Sequence, residues 1–262
     1  EPHGCDSLSE VAATVVLTHH EGDDVMSWID GPLLGFDTET TGVDPLRDRI
    51  VTVALVHRDA SGTRPETWLV DPGVEIPAAA SAVHGITTEH ARAHGRRPVE
   101  VLEEVATELA KAFSAGTPVV AFNACYDLTL VEAELRRHGL PTVADRVGGP
   151  LAPVIDPLVL DREHDRYRKG KRTLGVMCEL YGVTPADGGL HSADVDVVAT
   201  LDVLAALVAR FPAIGRTDLE SLHAAQVAGH RRWAQRFNEW RAGKGFEGPG
   251  ASLEWPTMAL AV

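Results

Sequence analysis

Three β-prone runs follow one another between residues 31 and 72, before any helical pattern begins. GPLLGFDTET (31–40) is a short apolar run that ends in acids and threonines. RIVTVALVHRD (49–59) is valine-rich and half alternating, and ETWLVDP (66–72) is stopped by proline. The turn residues SGT (61–63) separate the last two, so the three are expected to form an antiparallel meander. Helices and strands alternate afterwards. Pro98 opens a helical pattern over 100–113, TPVVAFNA (117–124) reads as a buried strand, and 126–139 is a helix ended by glycine. PVIDPLVL (153–160) reads as a short strand leading into a loop. Helices are expected over 172–182 and 192–211, the latter closed by Pro212. A run of strands followed by alternation predicts an α/β fold: a mixed sheet, antiparallel meander plus parallel strands, flanked by helices.

At 262 residues the chain is long enough for one large domain with appendages. The expected division is an N-terminal extension (1–30), native or not and without order of its own, a main domain (31–212) and a C-terminal segment (213–262). That last segment holds a helix over 218–243 and a Gly/Pro-rich tail. Leu219, Leu222, Trp233, Phe237 and Trp240 recur in it at helical spacing; such a stripe reads first as a packing face and second as a base-stacking platform. Three scattered cysteines form neither a disulfide framework nor a CxxC metal site, which suits a reducing cytoplasm. No apolar run approaches the ~20 residues of a membrane span. With 24 basic and 38 acidic residues, the net charge of −14 argues against nucleic-acid binding through a broad basic surface. It leaves open an enzyme that meets phosphate through cations held by carboxylates.

The acids themselves are informative. Asp37 and Glu39 lie two apart at a strand end and so share a face. Two such carboxylates repel unless a cation neutralises them, and hard oxygen ligands suit Mg²⁺ or Mn²⁺. Asp127 opens the helix after the strand VVAFN. Asp196 lies one turn into the long helix, with His191 five residues earlier in the preceding loop. A neutral imidazole there has the right proton affinity to take a proton from an activated water.

In series, FDTETTG (36–42), FNACYD (122–127) and HSADVD (191–196) resemble the motifs of the DEDDh 3′–5′ exonucleases, the family of the proofreading epsilon subunit of bacterial DNA polymerase III. VHGIT (83–87) and RTLGVMCELYGV (172–183) look like two further segments of that family, and the resemblance spans roughly residues 32–210. It implies a ribonuclease-H-like fold, two Mg²⁺ or Mn²⁺ ions held by Asp37, Glu39, Asp127 and Asp196, and His191 as general base. The implied reaction releases nucleoside 5′-monophosphates from a nucleic-acid 3′ end, single-stranded DNA first among the substrates. Thr38, Thr40, His84, Phe122 and Asn123 are candidate contacts to the terminal nucleotide. Arg172 belongs to RYRKGKR (166–172), the one strongly basic segment, which could grip phosphates of the incoming strand. Two other readings remain: RNA trimming by the same chemistry, and a non-catalytic module that docks on a DNA polymerase or repair partner. The motifs carry no signal of oligomeric state.

Overall fold

The structure is a computed structural model that describes residues 27–185 and 189–260; most of the expected N-terminal extension, residues 1–26, lies outside it. Strands β1 (Leu33–Thr40), β2 (Ile50–Asp59) and β3 (Gly62–Leu69) form the antiparallel meander. Strands β4 (Val119–Val120) and β5 (Val154–Ile155) run parallel to β1, which gives a five-stranded mixed sheet in the order β3-β2-β1-β4-β5. The helices α1 (Ala78–His84), α2 (Thr88–His94) and α3 (Pro98–Ser114) lie between β3 and β4, and α4 (Ala124–Arg137) and α5 (Val143–Val147) lie between β4 and β5. After β5 come α6 (Pro157–His164), α7 (Leu174–Tyr181), α8 (Ala193–Arg210), α9 (Ala213–Arg216) and α10 (Leu219–Gly243).

The period of two along β1 assigns its residues to two cores. Leu34 and Phe36 pack with Val53, Leu55 and the buried faces of α3 and α4. Leu33 packs on the opposite face with Ala54, Val56 and the Val197–Leu201–Leu204 stripe of α8. Gly35 lets α8 approach on that face, since a Cβ there would collide with Val197 Cγ1. By the same alternation Asp37 and Glu39 point to the α8 side and Thr38 to the α4 side.

Several elements depart from the sequence expectation. β3 starts four residues earlier than residue 66, because it pairs with β2 from Gly62 onward. The strand expected over 117–124 keeps only two ladder residues. Asn123 turns into the left-handed region (φ 63°) and starts α4 immediately after it. The stretch after β5 is helix α6 rather than loop, with Asp156 as N-cap accepting from Leu158 N at 2.9 Å and Pro157 in the first turn. α1 and α2 carry too few large apolar residues to show a period.

The C-terminal segment is packed on the sheet. Gln226 of α10 donates to Val154 O at 3.0 Å and accepts from Asp156 N at 2.8 Å, and His223 Nδ1 accepts from Val154 N at 3.1 Å. These side chains satisfy the free edge of β5 that would otherwise stay open. Further on, Trp255 is buried in the core with Leu130 and Val131, and Met258 N donates to Thr129 Oγ1 at 2.9 Å. At the other end of the described chain, Trp28 Nε1 donates to Ile214 O at 3.1 Å. No helix among the described residues is long and apolar enough to cross a membrane.

Candidate active site

The C-terminal end of β1 and the first turn of α8 bring three acids together. One carboxylate oxygen each of Asp37, Glu39 and Asp196 lies within 4.8 Å of the others. Asp127 reaches the group from the opposite face of the sheet, on the first turn of α4, and is 4% exposed. Its Oδ1 accepts from Thr38 N at 3.2 Å and from the Thr38 hydroxyl at 2.6 Å. Thr38, between the two β1 acids, therefore ties the fourth acid to the strand that carries the first two.

Crowding and burial show in the proton affinities. Asp37 is pushed well above the usual carboxylate range, first by burial and then by the charges of Asp127, Glu39 and Asp196. Burial, with Asp196 and Asp127 adding, raises Glu39 to about 7. Asp127 is raised to about 7 by burial, against the pull of the Thr38 hydroxyl. Asp196 is raised by burial, and the His191 N–H that donates to its Oδ1 at 3.0 Å opposes the shift. Four carboxyls that cannot all ionise beside one another are a donor set in want of positive charge. Hard oxygen donors of this kind fit divalent Mg²⁺ or Mn²⁺.

His191 adopts φ 95°, outside the comfortable range of a residue with a Cβ, and is exposed on the loop before α8. Its backbone is fixed by the bond to Asp196. Its side chain lines a cleft of about 480 Å³ together with Glu39, His84, Trp68 and Thr52. That volume suits a small ligand the size of a nucleotide.

Among the other sequence candidates, His84 lines this cleft at the end of α1, with Nδ1 accepting from Ile86 N at 3.1 Å. Burial lowers its proton affinity. Thr40 donates to Gly42 O at 2.6 Å and contacts the Tyr126 hydroxyl at 3.0 Å, which closes the turn after β1. Phe122 packs into the α8-side core, and Asn123 N donates to Asp156 Oδ1 at 3.1 Å at the start of α4; neither lines the cleft. Arg172 is elsewhere. Its Nε donates to the fully buried Asp161 at 2.6 Å, beside Arg168 at 2.8 Å, and it lines a different cleft. Trp68, Thr52 and His90 line the nucleotide-sized cleft without having stood out in the sequence. A tryptophan facing the end of a meander strand was the only signal available.

Comparison with known proteins agrees with this geometry. Residues 34–204 match the family model described as Exonuclease, of the RNase T type. The chain is 32% identical over 200 residues to a DNA polymerase III PolC-type protein of Streptococcus thermophilus, covering 74% of this chain and 12% of that protein. It is 32% identical over 208 residues to a DNA polymerase III subunit epsilon-like protein of Rhodobacter capsulatus, covering 78% of this chain and 27% of that protein. It thus spans about an eighth to a quarter of the length of these relatives. Among solved structures, Escherichia coli Exonuclease I with a dT13 oligonucleotide superposes at TM-score 0.55 with 20% identity, over 70% of this chain and 43% of that one. Exonuclease I of Methylocaldum szegediense superposes at TM-score 0.56 with 23% identity, over 80% of this chain and 46% of that one. These two share the fold. Matched along most of its sheet and helices, and by relatives at a third of identical positions, the chain belongs to the RNase T-type exonuclease family.

Proposed function

We propose that this protein is a metal-dependent 3′–5′ exonuclease that removes nucleoside 5′-monophosphates from the 3′ end of DNA, with residues 31–212 as the catalytic unit. The observation that carries the reading is the convergence of Asp37, Glu39 and Asp196 within 4.8 Å, with Thr38 tethering Asp127 beside them and His191 at the cleft. Two divalent cations held by these four acids would supply Lewis-acid activation and charge neutralisation at the scissile phosphate. The chain's own groups do the rest. His191 accepts the proton of the attacking water through its ring, which the strained loop presents to the cleft. The Thr38 hydroxyl keeps Asp127 in place and favours its ionised form. His84 and Trp68 border the space for the terminal nucleotide. The DNA assignment draws on the oligonucleotide complexes of the Exonuclease I neighbours, and a polymerase partner on the PolC-type relatives.

The test incubates the protein and Mg²⁺ or Mn²⁺ with 3′- and 5′-labelled single-stranded DNA, duplex DNA and RNA. Stepwise shortening of 5′-labelled DNA with release of mononucleotide is the expected result. Cleavage confined to RNA would move the activity to RNA trimming, and no shortening of any strand would refute the reading.

A further inference from the structure

A basic and aromatic surface lies on α10, apart from the acids. Four rings follow one another along the end of this helix and just past it. Trp233 stacks on Phe237 at 5.3 Å between centroids, Phe237 on Trp240 at 5.8 Å, and Phe246 continues the row 5.7 Å from Trp240. The row opens outward: Trp233 and Phe237 are half-buried, whereas Trp240 and Phe246 are 52% and 55% exposed. A face meant for internal packing would be covered, and these last two rings are not covered by the described chain.

Arginines accompany the rings. The Arg162 guanidinium lies 3.6 Å over the Trp233 ring, and Arg241 lies 5.9 Å from Phe237 and 5.6 Å from Phe246. At the base of the row a cleft of about 140 Å³ is lined by Arg162, Arg166, Arg172, Arg232 and Arg236 with Trp233. Among the described residues Glu163 is the one acid that lines it; it pairs with Arg166 at 3.5 Å and Arg232 at 2.5 Å. Gly229 lets α6 and α10 come close enough to form the cleft, since a Cβ there would meet Glu163 at 2.7 Å. Concentrating arginine here, in a chain of net charge −14, marks the surface for an anion. The arginines that line the cleft suit a phosphate group better than an apolar anchor side chain.

The surface also faces the right way. β5 is parallel to β4, which is parallel to β1, and α10 advances with β5: His223 meets Val154, Gln226 meets Asp156, and Arg232 meets Glu163 further along. The helix therefore leaves the sheet at the end where Asp37 and Glu39 lie, and Trp240 is about 20 Å beyond Gln226 along its axis.

Resting on the exonuclease reading, we propose that the Trp233–Phe237–Trp240–Phe246 row and its arginines bind single-stranded nucleic acid upstream of the 3′ end, with bases on the exposed Trp240 and Phe246 rings and phosphates on Arg166, Arg232, Arg236 and Arg241. A row of rings with arginines beside Trp233, Phe237 and Phe246 fits a polymer with alternating base and phosphate. A peptide partner would instead call for a deep anchor pocket.

The experiment measures fluorescence anisotropy of labelled oligothymidylates of about 4 and about 20 nucleotides, in EDTA so that cleavage does not intervene. It compares the wild type with Trp240→Ala and Arg236→Glu, both exposed positions, after thermal melts confirm equal folding. The long oligonucleotide should bind the variants ~5- to 100-fold more weakly, with the short one unaffected. Arg236→Glu should also flatten the salt dependence. Equal affinity of all three proteins for the long strand would overturn the proposal. So would equal weakening of the short and the long oligonucleotide, which would place the effect at the acids rather than on the row. Hydrolysis of thymidine 5′-monophosphate p-nitrophenyl ester by the wild type is assayed separately. Hydrolysis with no effect of the variants on binding leaves the exonuclease reading intact and rejects the row; weakened binding without hydrolysis does the reverse.

Discussion

The Thr38 hydroxyl donates to Asp127 Oδ1 at 2.6 Å, a bond between a strand residue and a helix residue that lie 89 positions apart. Because Thr38 faces α4 while its neighbours Asp37 and Glu39 face α8, one strand holds acids arriving from both faces of the sheet. Thr38→Val removes the shorter of the two bonds Asp127 receives from residue 38 and leaves the backbone N–H at 3.2 Å. The variant should fold, and it should need ~10- to 100-fold more Mg²⁺ for half-maximal hydrolysis. A metal titration of activity checks this. An unchanged midpoint would mean that Asp127 is positioned by other contacts.

The acids also predict how metal-free protein responds to pH. Folding raises Glu39 from 4.5 and Asp127 from 3.8, each to about 7. Between these limits the folded state binds more protons than the unfolded chain, so stability falls as pH rises from about 4 to about 7. Thermal melts in EDTA should show this decline, and adding Mg²⁺ or Mn²⁺ at pH 7 should reverse it, by ~2.7 kcal/mol at a hundredfold excess over Kd. Asp37→Asn should be more stable than the wild type without metal, lose most of the metal-induced rise, and show no hydrolysis. Wild-type activity in that variant would remove Asp37 from the site.

His191 is held at φ 95° with its backbone N–H on Asp196, so its ring is presented by a strained loop rather than by packing. His191→Ala should slow hydrolysis by ~10²–10⁴-fold with little change in the melting temperature. The pH–rate profile of the variant should lose the limb that belongs to the base. A profile that keeps the wild-type shape would assign the proton to another group.

Arg172 makes a contrasting prediction. Its guanidinium neutralises Asp161, which is 0% exposed and is also held by Arg168 at 2.8 Å and the Tyr181 hydroxyl at 2.8 Å. Arg172→Ala should destabilise the fold by ~1–3 kcal/mol in urea denaturation, since a charged acceptor loses one of three partners. At temperatures where the variant remains folded, its hydrolysis of a dinucleotide should match the wild type. A raised KM with unchanged stability would instead show the arginine gripping substrate.

Gly35 tests the packing that joins the acids. A methyl group there would push Val197 and Leu201 away from β1 and shift α8, which carries Asp196, relative to Asp37 and Glu39. Gly35→Ala should lose ~1–3 kcal/mol of stability and lose activity out of proportion to the folded fraction. Activity that tracks the folded fraction alone would show that the acids tolerate the shift.

The sequence by itself determined the parts with local causes. Alternation put Asp37 and Glu39 on one face, the Ser192–Arg210 pattern put Asp196 at a helix start, and the strand-first order set the meander. Whatever depends on distant partners was decided by tertiary structure. The two-residue length of β4, the tether from Thr38 to Asp127, the burial of Arg172 against Asp161 and the seating of α10 on the edge of β5 are such cases. Each depends on a group far away in the chain that no local period reveals. An arginine reads the same in sequence whether it meets a phosphate or a buried aspartate, and only the folded chain shows which one it faces.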